Sequence, residues 1–322
     1  MQLTKCAVIG VGYLGSFHAQ KFAAIDTARL VAVVDIDDRA AAAAAETCGC
    51  RALTDYRQVM DQVDAVSIAV PTRRHFEIAR AFLDAGIHVL LEKPIASTVE
   101  EARSLVELAR KRGVVFQIGH LERFNPAFMD LGDFELNPLF IESHRVAPFK
   151  LRGTDVDVVL DLMIHDIDLI LGMVKSPVSS LAASGTSVLS DALDIVNARL
   201  EFENGCVANV TSSRVSLKSE RRMRIFQPEA YISIDFQNSG LAIHRLGDEE
   251  MFPGVPEILR EESSFEHDHD PLMREIEAFV ASVREGAPVV VSGEDGARAL
   301  EIAMRIRDMV ESGSPVALSR QA

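Results

Sequence analysis

Short apolar runs rich in β-branched residues alternate with longer segments of helical periodicity over the first 120 residues of this chain. The apolar runs lie at 6–9, 30–34, 63–70, 87–91 and 114–118, and the helical segments lie between them at 13–25, 37–48, 73–85 and 98–112. Repeated strand–helix–strand units build a parallel sheet that is covered by helices on both faces. Such strands are buried on both sides, so they read as continuous apolar runs, as "AVSIAV" does here.

The pattern changes after about residue 121. Strand-like stretches follow near 139–146, 178–188, 194–203, 205–213, 222–227, 230–236 and 240–246. One helical segment, "VVLDLMIHDIDLILGM", interrupts them, and two more come last, near 271–285 and 294–312. A chain of 322 residues is too long for one core. We therefore predict an α/β protein with an N-terminal parallel-sheet domain at 1–121 and a C-terminal α/β domain at 122–322, whose sheet is open and mostly antiparallel.

Charge and composition exclude several classes of partner. The chain carries 33 basic and 48 acidic residues, a formal net charge of −15, which would repel a nucleic-acid backbone. No apolar stretch reaches the roughly 18 residues of a membrane span, so we expect no membrane partner. Cys48 and Cys50 lack the spacing of a zinc site or a redox pair. The sequence therefore predicts a cytoplasmic protein without a metal site.

A glycine-rich segment, Gly10-Val11-Gly12-Tyr13-Leu14-Gly15, follows the first apolar run and opens the first helical segment. The G-x-G-x-x-G pattern alone is weak, but a preceding strand, a following helix and a second strand are the context of a dinucleotide-binding loop. The first glycine permits the turn, the second lets a pyrophosphate approach the backbone, and the third lets helix and strand pack closely. The N–H groups at the helix start would face the phosphates. The alternative is a tight turn without a ligand.

The second apolar run, "RLVAVVD", ends at Asp35, twenty residues after Gly15. A carboxylate at this position accepts hydrogen bonds from the ribose hydroxyls of the adenosine half. A 2′-phosphate would be repelled by that charge and by Asp37 and Asp38. We therefore predict NAD rather than NADP as the cofactor, with Asp35 and the following Ile36 at the adenosine half.

Two further segments carry candidate catalytic groups. Lys93 in "HVLLEKPIAS" follows the fifth apolar run, and ligands in open parallel sheets bind at the carboxyl ends of strands. In "DLMIHDIDL", Asp161, His165 and Asp168 are four and three residues apart, which places them on one face of a helix. A histidine flanked by carboxylates is suited to act as a general base. The alternatives are a surface lysine beside a turn proline and a solvated salt-bridge cluster.

Together these segments resemble the Gfo/Idh/MocA family of NAD(P)-dependent oxidoreductases. The resemblance spans nearly the whole chain and rests on the glycine loop, "VPTRRHFEIA", "EKP", "GHLERFNP" and "DLMIHDIDL". It implies a Rossmann domain followed by an α/β domain whose sheet often forms the oligomer contact. The expected assembly is therefore a homo-oligomer, a dimer or a tetramer, that associates through the C-terminal sheet.

The family pattern implies a hydride transfer from a secondary alcohol and assigns roles to four residues. Lys93 would help to hold the substrate and polarise its reacting oxygen. His165 would accept the hydroxyl proton, and Asp161 would lie beside it at the substrate. Asp168 matches the third helix residue, which supports the site in some members.

The same pattern implies contacts with the nicotinamide half of the cofactor. Thr72 and His75 match a T-x-x-H segment near the nicotinamide ribose, and Glu92 of "EKP" is a further cofactor candidate together with Lys93. Where many members read "TPN" before that histidine, this chain reads "PTRRH", so the usual asparagine contact is missing.

Three segments, "GHLERFNPAF", "ESHRVAPFKLRGTDVDVVLDLMIHDIDL" and "EDGARALEIA", resemble the branch of this family whose members oxidise the nucleotide sugar UDP-N-acetylglucosamine at C3, a step in lipopolysaccharide biosynthesis. Four basic residues could meet a diphosphate or could be solvated or paired cations: Arg123, Arg145, Lys150 and Arg152. Three other activities stay open. They are a dehydrogenase of inositol or a free sugar, an NAD-dependent glycosidase, and a non-catalytic NAD-dependent regulator, which would need neither Lys93 nor His165.

Overall fold

The computed structural model describes residues 3–132, 134–149, 156–265 and 270–313, so Lys150 and Arg152 lie outside it. The chain divides into two compact units. The first unit runs to Leu121 and includes Asp270–Leu300, and the second comprises the described residues between them and those from Glu301 onward. The first boundary coincides with the expected one, whereas residues 270–300 fold with the first unit instead of the second.

The first unit contains a six-stranded sheet in which all neighbouring strands are parallel. The strands are β1 Thr4–Ile9, β2 Ala28–Val34, β3 Arg51–Leu53, β4 Ala65–Ile68, β5 His88–Glu92 and β6 Phe116–Gly119. Their order is β3-β2-β1-β4-β5-β6, which confirms the predicted parallel sheet. The strand order reverses between β1 and β4, and open α/β sheets bind ligands at the carboxyl ends of strands beside such a reversal.

Four helices connect these strands: α1 Tyr13–Ala24, α2 Asp38–Cys48, α3 His75–Asp84 and α4 Val99–Arg112. Thr98 caps α4, since its hydroxyl accepts a hydrogen bond from the Glu101 N–H at 3.2 Å. Gly113 ends the same helix at a φ of +65°, in the left-handed region that glycine adopts without strain. All four helices lie within one or two residues of their predicted positions.

The second unit contains an eight-stranded sheet. Its strands are β7 Phe140–Val146, β8 Val178–Thr186, β9 Ile195–Phe202, β10 Val207–Ser213, β11 Glu220–Gln227, β12 Ala230–Asp235, β13 Gly240–Phe252 and β14 Val255–Ser264. The order is β14-β13-β12-β11-β7-β10-β9-β8, and only β7 and β10 pair in parallel. The predicted open, mostly antiparallel sheet is confirmed.

Helical segments of the second unit pack on its sheet. They are α5 Pro126–Met129, a π-helical turn at Val159–Met163, and α6 Ile164–Val174, which continues directly from that turn. Helix α5 contacts β12 and β13, and α6 contacts β7 and β10. The central strands alternate between buried and more exposed residues, so one face of the sheet is covered and the other is more open.

Two helices end the described chain: α7 Pro271–Glu285 and α8 Gly293–Ser312. Ile276, Phe279 and Val280 of α7 are buried in the same apolar cluster as Val8 of β1 and Phe22 of α1. This burial explains why residues 270–300 belong to the first unit. Among the described residues, no helix combines the length and the apolarity that crossing a membrane requires.

Candidate active site

The glycine loop between β1 and α1 leaves one side open for a ligand. Gly10 has a φ of +85°, and a Cβ added there would lie 2.6 Å from the Ala69 carbonyl oxygen. A Cβ on Gly15 would lie 1.9 Å from the Gly10 carbonyl oxygen, whereas a Cβ on Gly12 would meet nothing within 4 Å. The protein's own packing therefore requires Gly10 and Gly15, and Gly12 faces open space that a pyrophosphate can approach.

Asp35 is hydrogen-bonded to the glycine loop. Its Oδ2 accepts a hydrogen bond from the Val11 N–H at 2.8 Å. Each carboxylate oxygen has more than one acceptor site, so this bond leaves capacity for ribose hydroxyls. Ile36 is 95% exposed beside it, and Tyr13 and Leu14 are exposed at the start of α1. The loop, the carboxylate and these exposed apolar surfaces fit an adenine dinucleotide.

Glu92 and Lys93 lie at the carboxyl end of β5, and the Glu92 side chain is held by the protein. Its Oε1 lies 3.0 Å from Nε2 of His18 on α1, and its Oε2 accepts the Lys93 N–H at 3.2 Å. Nδ1 of His18 lies 2.8 Å from the Ser67 hydroxyl on β4. Burial alone would raise the pKa of Glu92, but His18 and Lys93 lower it below its usual range. The geometry makes Glu92 a support for Lys93.

A third carboxyl group, Glu275 of α7, completes this buried cluster. One ligand-type atom each from His18, Glu92 and Glu275 lie within 4.8 Å of one another. Glu275 is fully buried, and burial followed by the charge of Glu92 raises its pKa well above the usual value. Neither His18 nor Glu275 was a sequence candidate, because they lie 257 positions apart in the sequence and no local pattern reveals their proximity.

Thr72 and His75 lie in the loop and helix start that follow β4. Thr72 is half-buried and opens a short 3-10 turn at Thr72–Arg74. His75 is buried, with Nδ1 and Nε2 each 2.8 Å from a main-chain carbonyl oxygen, of Pro94 and Val70 respectively. Burial lowers the pKa of His75 below its usual value, although the two hydrogen bonds to main-chain oxygens oppose this shift. His75 therefore joins the loop after β4 to the turn after Lys93.

The segment that carries His165 begins with a cap and an irregular turn. The Asp157 carboxylate accepts the N–H groups of Val159 and Leu160 at 2.9 and 3.0 Å. The π-helical turn that follows contains Asp161, and α6 then carries His165; both residues are half-buried. Wide turns of this type are frequent at functional sites.

Asp168 does not share the environment of the other two residues. It is 1% exposed and accepts two hydrogen bonds from Arg123, at 2.6 Å from Nε and 3.0 Å from Nη2. A Cβ on Gly172 would lie 2.4 Å from the guanidinium nitrogens of Arg123, so the guanidinium packs against α6. This bidentate pair joins Arg123 to α6. Both carboxylate oxygens of Asp168 are engaged by Arg123, which favours a structural role for Asp168 over contact with a substrate.

Arg145 of β7 is also hydrogen-bonded to a residue of α6. Its Nε and Nη2 donate to Asp166 at 2.8 and 3.0 Å, and its Nη1 donates to Glu122 at 2.5 Å. Arg145 and Asp166 are both almost fully buried. Burial alone would lower the pKa of Arg145, but the two carboxylates raise it. This geometry favours positioning of the helix by Arg145 over contact with a diphosphate.

Comparisons with known proteins show which family the chain belongs to. Residues 4–120 match the oxidoreductase family with an NAD-binding Rossmann fold, and residues 144–233 match the GFO/IDH/MocA C-terminal domain. UDP-N-acetylglucosamine 3-dehydrogenase from Acidithiobacillus ferrooxidans is 40% identical over 309 residues, which cover 96% of this chain and 97% of that protein. The chain belongs to the Gfo/Idh/MocA family.

A solved structure and a second relative support the assignment to the Gfo/Idh/MocA family. A solved structure of the Acidithiobacillus enzyme has a TM-score of 0.90, covering 97% of this chain and 99% of that one. Myo-inositol 2-dehydrogenase from Thermotoga maritima is 26% identical, covering 98% of each chain. The family and fold predicted from the sequence are confirmed, and the protein is an NAD-dependent oxidoreductase.

Proposed function

We propose that this enzyme oxidises a secondary hydroxyl of a nucleotide sugar, and specifically C3 of UDP-N-acetylglucosamine. The observation that carries the proposal is 40% identity to an enzyme of that activity over nearly the full length of both chains. Relatives named as inositol dehydrogenases share fewer residues, as the 26% of the Thermotoga protein illustrates. The ketone product would supply an aminotransferase in lipopolysaccharide biosynthesis. All four cysteines are free, in keeping with work in the cytoplasm.

We assign the cofactor contacts to the glycine loop and the end of β2. The open side of Gly12 and the N–H groups at the start of α1 would receive the pyrophosphate. Asp35 would accept the ribose hydroxyls and repel a 2′-phosphate, so NAD is preferred to NADP. When bound, NAD supplies the acceptor for the hydride. Thr72 lies near His75, which joins the loop after β4 to the turn after Lys93, and Thr72 is the candidate for contact with the nicotinamide ribose.

We assign the proton and charge chemistry to Lys93, His165 and Asp161. The Lys93 ammonium would hold the reacting hydroxyl oxygen and stabilise the negative charge that develops on it as the proton leaves. The His165 imidazole would accept that proton, and Asp161 would orient the hydroxyl or the imidazole. Asp168, Arg123 and Arg145 would act indirectly by fixing the helix that carries His165.

A substrate panel tests this function. We expect purified enzyme to reduce NAD with UDP-N-acetylglucosamine and, at equal concentration, to reduce NADP at least about tenfold more slowly, the effect of about 1.4 kcal/mol of discrimination. Absorbance of NADH gives the rate, and a product mass lower by two hydrogen atoms identifies the ketone. Oxidation of inositol without oxidation of the nucleotide sugar would overturn the substrate assignment. Sugar release without accumulation of NADH would indicate the glycosidase instead.

We also propose that the protein is a homo-oligomer that associates through the open face of the eight-stranded sheet. An aromatic row crosses four neighbouring strands on that face: Phe140, Phe226, Tyr231 and His244. Adjacent ring centroids along the row are 5.9, 5.1 and 5.6 Å apart. Phe226 is 36% exposed, and an apolar strip of this kind on an otherwise polar face suits association.

Phe226→Glu is expected to weaken that association. A carboxylate at the centre of an apolar contact would be desolvated on both copies, so the oligomer should dissociate at micromolar protein concentrations. Light scattering coupled to size exclusion measures the mass. Lys111→Glu, at an exposed position in the last turn of α4 and outside the eight-stranded sheet, is the control. A monomeric wild type, or an F226E oligomer as stable as that of K111E, would contradict this interface.

A further inference from the structure

We propose that Glu275 is a positioning residue that acts as a neutral carboxylic acid and holds the Glu92–Lys93 strand end from the side of α7. The functional part of this inference rests on the role proposed above for Lys93. The protonation state is a separate matter, because it follows from the residues around Glu275 and can be measured without a substrate.

The carboxyl group of Glu275 is 0% exposed and accepts no hydrogen bond from the described residues. Gln117 of β6 is fully buried beside it, with Nε2 donating to the main-chain oxygen of Glu275 at 3.1 Å. That bond fixes the amide orientation, because the flipped amide would set two carbonyl oxygens against each other. The amide oxygen of Gln117 is itself buried without a partner within the described chain.

Glu92 supplies the second acceptor, and its charge decides which group carries the proton. Glu92 is stabilised as a carboxylate by His18 and by the Lys93 N–H. An ionised Glu275 would place a second buried negative charge within 4.8 Å of the Glu92 carboxylate, and no described residue donates a hydrogen bond to it. A proton on Glu275 removes that charge and provides the missing donor for Glu92 or Gln117. The raised pKa of Glu275 and the lowered pKa of Glu92 point the same way.

With its proton, Glu275 becomes one of three groups that hold the Glu92 carboxylate in place. His18 approaches Glu92 from α1, the Lys93 N–H approaches it from its own turn, and Glu275 approaches from α7. Lys21 of α1 also forms an ion pair with Asp270 at the start of α7, where both side chains are partly exposed. Glu92 is adjacent to Lys93, so fixing its side chain limits the movement of the Lys93 backbone.

Infrared difference spectroscopy of Glu275→Gln against wild type tests the protonation state. We expect the wild type to show a carboxylic acid C=O band at pH 7 that E275Q lacks and that persists to pH 9. Glu277→Gln changes an exposed glutamate on the same helix and should leave the band in place. An unchanged band in E275Q would overturn the proposal. So would stoichiometric divalent metal in wild type that E275Q loses, because a metal ion would then replace the proton.

Kinetics of two variants test the positioning role. E275Q keeps a neutral donor and should retain kcat within about threefold of wild type. Glu275→Ala should lower kcat about tenfold, by analogy with the loss of groups that orient metal ligands, which costs about 10- to 100-fold. The Kd for NAD should change in neither. An equal decrease of kcat in E275Q and E275A would overturn the role of the acid proton. If the wild type oxidises no nucleotide sugar, the infrared result still stands and the failure belongs to the proposed function.

Discussion

Lys93→Met is expected to lower kcat by about 10³-fold, the upper part of the range for removing one group that stabilises a developing oxyanion. Methionine keeps an unbranched apolar chain of similar length, so it fills the half-buried position of Lys93 without its charge. The glycine loop and Asp35, to which we assign most of the cofactor contacts, are untouched. The Kd for NAD should therefore stay within about threefold of wild type, a change below 1 kcal/mol.

The measurements separate chemistry from cofactor binding. Initial rates with saturating NAD give kcat, and calorimetric titration gives the Kd for NAD, since the chain has no tryptophan for fluorescence quenching. Lys111→Met, at an exposed position in the last turn of α4, is the control and should leave both quantities unchanged. Full activity of K93M would remove Lys93 from the mechanism. Loss of NAD binding in K93M would assign the residue to the cofactor instead.

Strand and helix positions in the first unit could be predicted because each apolar run there is also a buried strand. β4 is buried at all four of its residues, and the sequence around it is continuously apolar. β3 was not predicted because its three residues, "RAL", are too few to form a periodic pattern. β14 was not predicted because "VPEILREESS" is highly charged, and it pairs with β13 at the mostly exposed edge of its sheet. A local sequence pattern reveals a strand only where the strand has a buried face, and β3 and β14 bury few residues.

The glycine loop could also be predicted, because its function follows from local geometry. The partners of the charged groups could not, since they come from distant parts of the chain. Arg123 meets Asp168 and Glu92 meets Glu275 across 45 and 183 residues. The spacing of Asp161, His165 and Asp168 predicted one shared face, but a π-helical turn precedes α6 and Asp168 is buried against Arg123. No local pattern distinguishes a solvated arginine from a buried one.

Arg145→Met is expected to lower the thermal midpoint of the second unit by about 10 °C, which corresponds to the 3–5 kcal/mol typical of breaking a buried ion pair from one side. Methionine fills most of the space of the arginine but leaves the buried Asp166 carboxylate without its two hydrogen bonds. Glu122 would lose its contact at 2.5 Å, and its next ion-pair partner in the described chain, Arg221, lies 3.7 Å away with its side chain about half exposed. Asp166 directly follows His165, so kcat should fall as well. Calorimetry and initial rates measure the two effects.

Arg245→Met provides the matched control, because Arg245 of β13 pairs with Glu261 of β14 in the same sheet, on the face opposite the aromatic row, with both side chains about half exposed. Exposed pairs contribute about 0–1 kcal/mol, so this variant should melt within about 3 °C of wild type. The two variants should differ because water solvates Glu261 when its partner is removed, whereas water cannot reach Asp166. If R145M melts at the same temperature as R245M and shows only a raised KM for the nucleotide sugar, Arg145 binds the diphosphate directly and does not position α6.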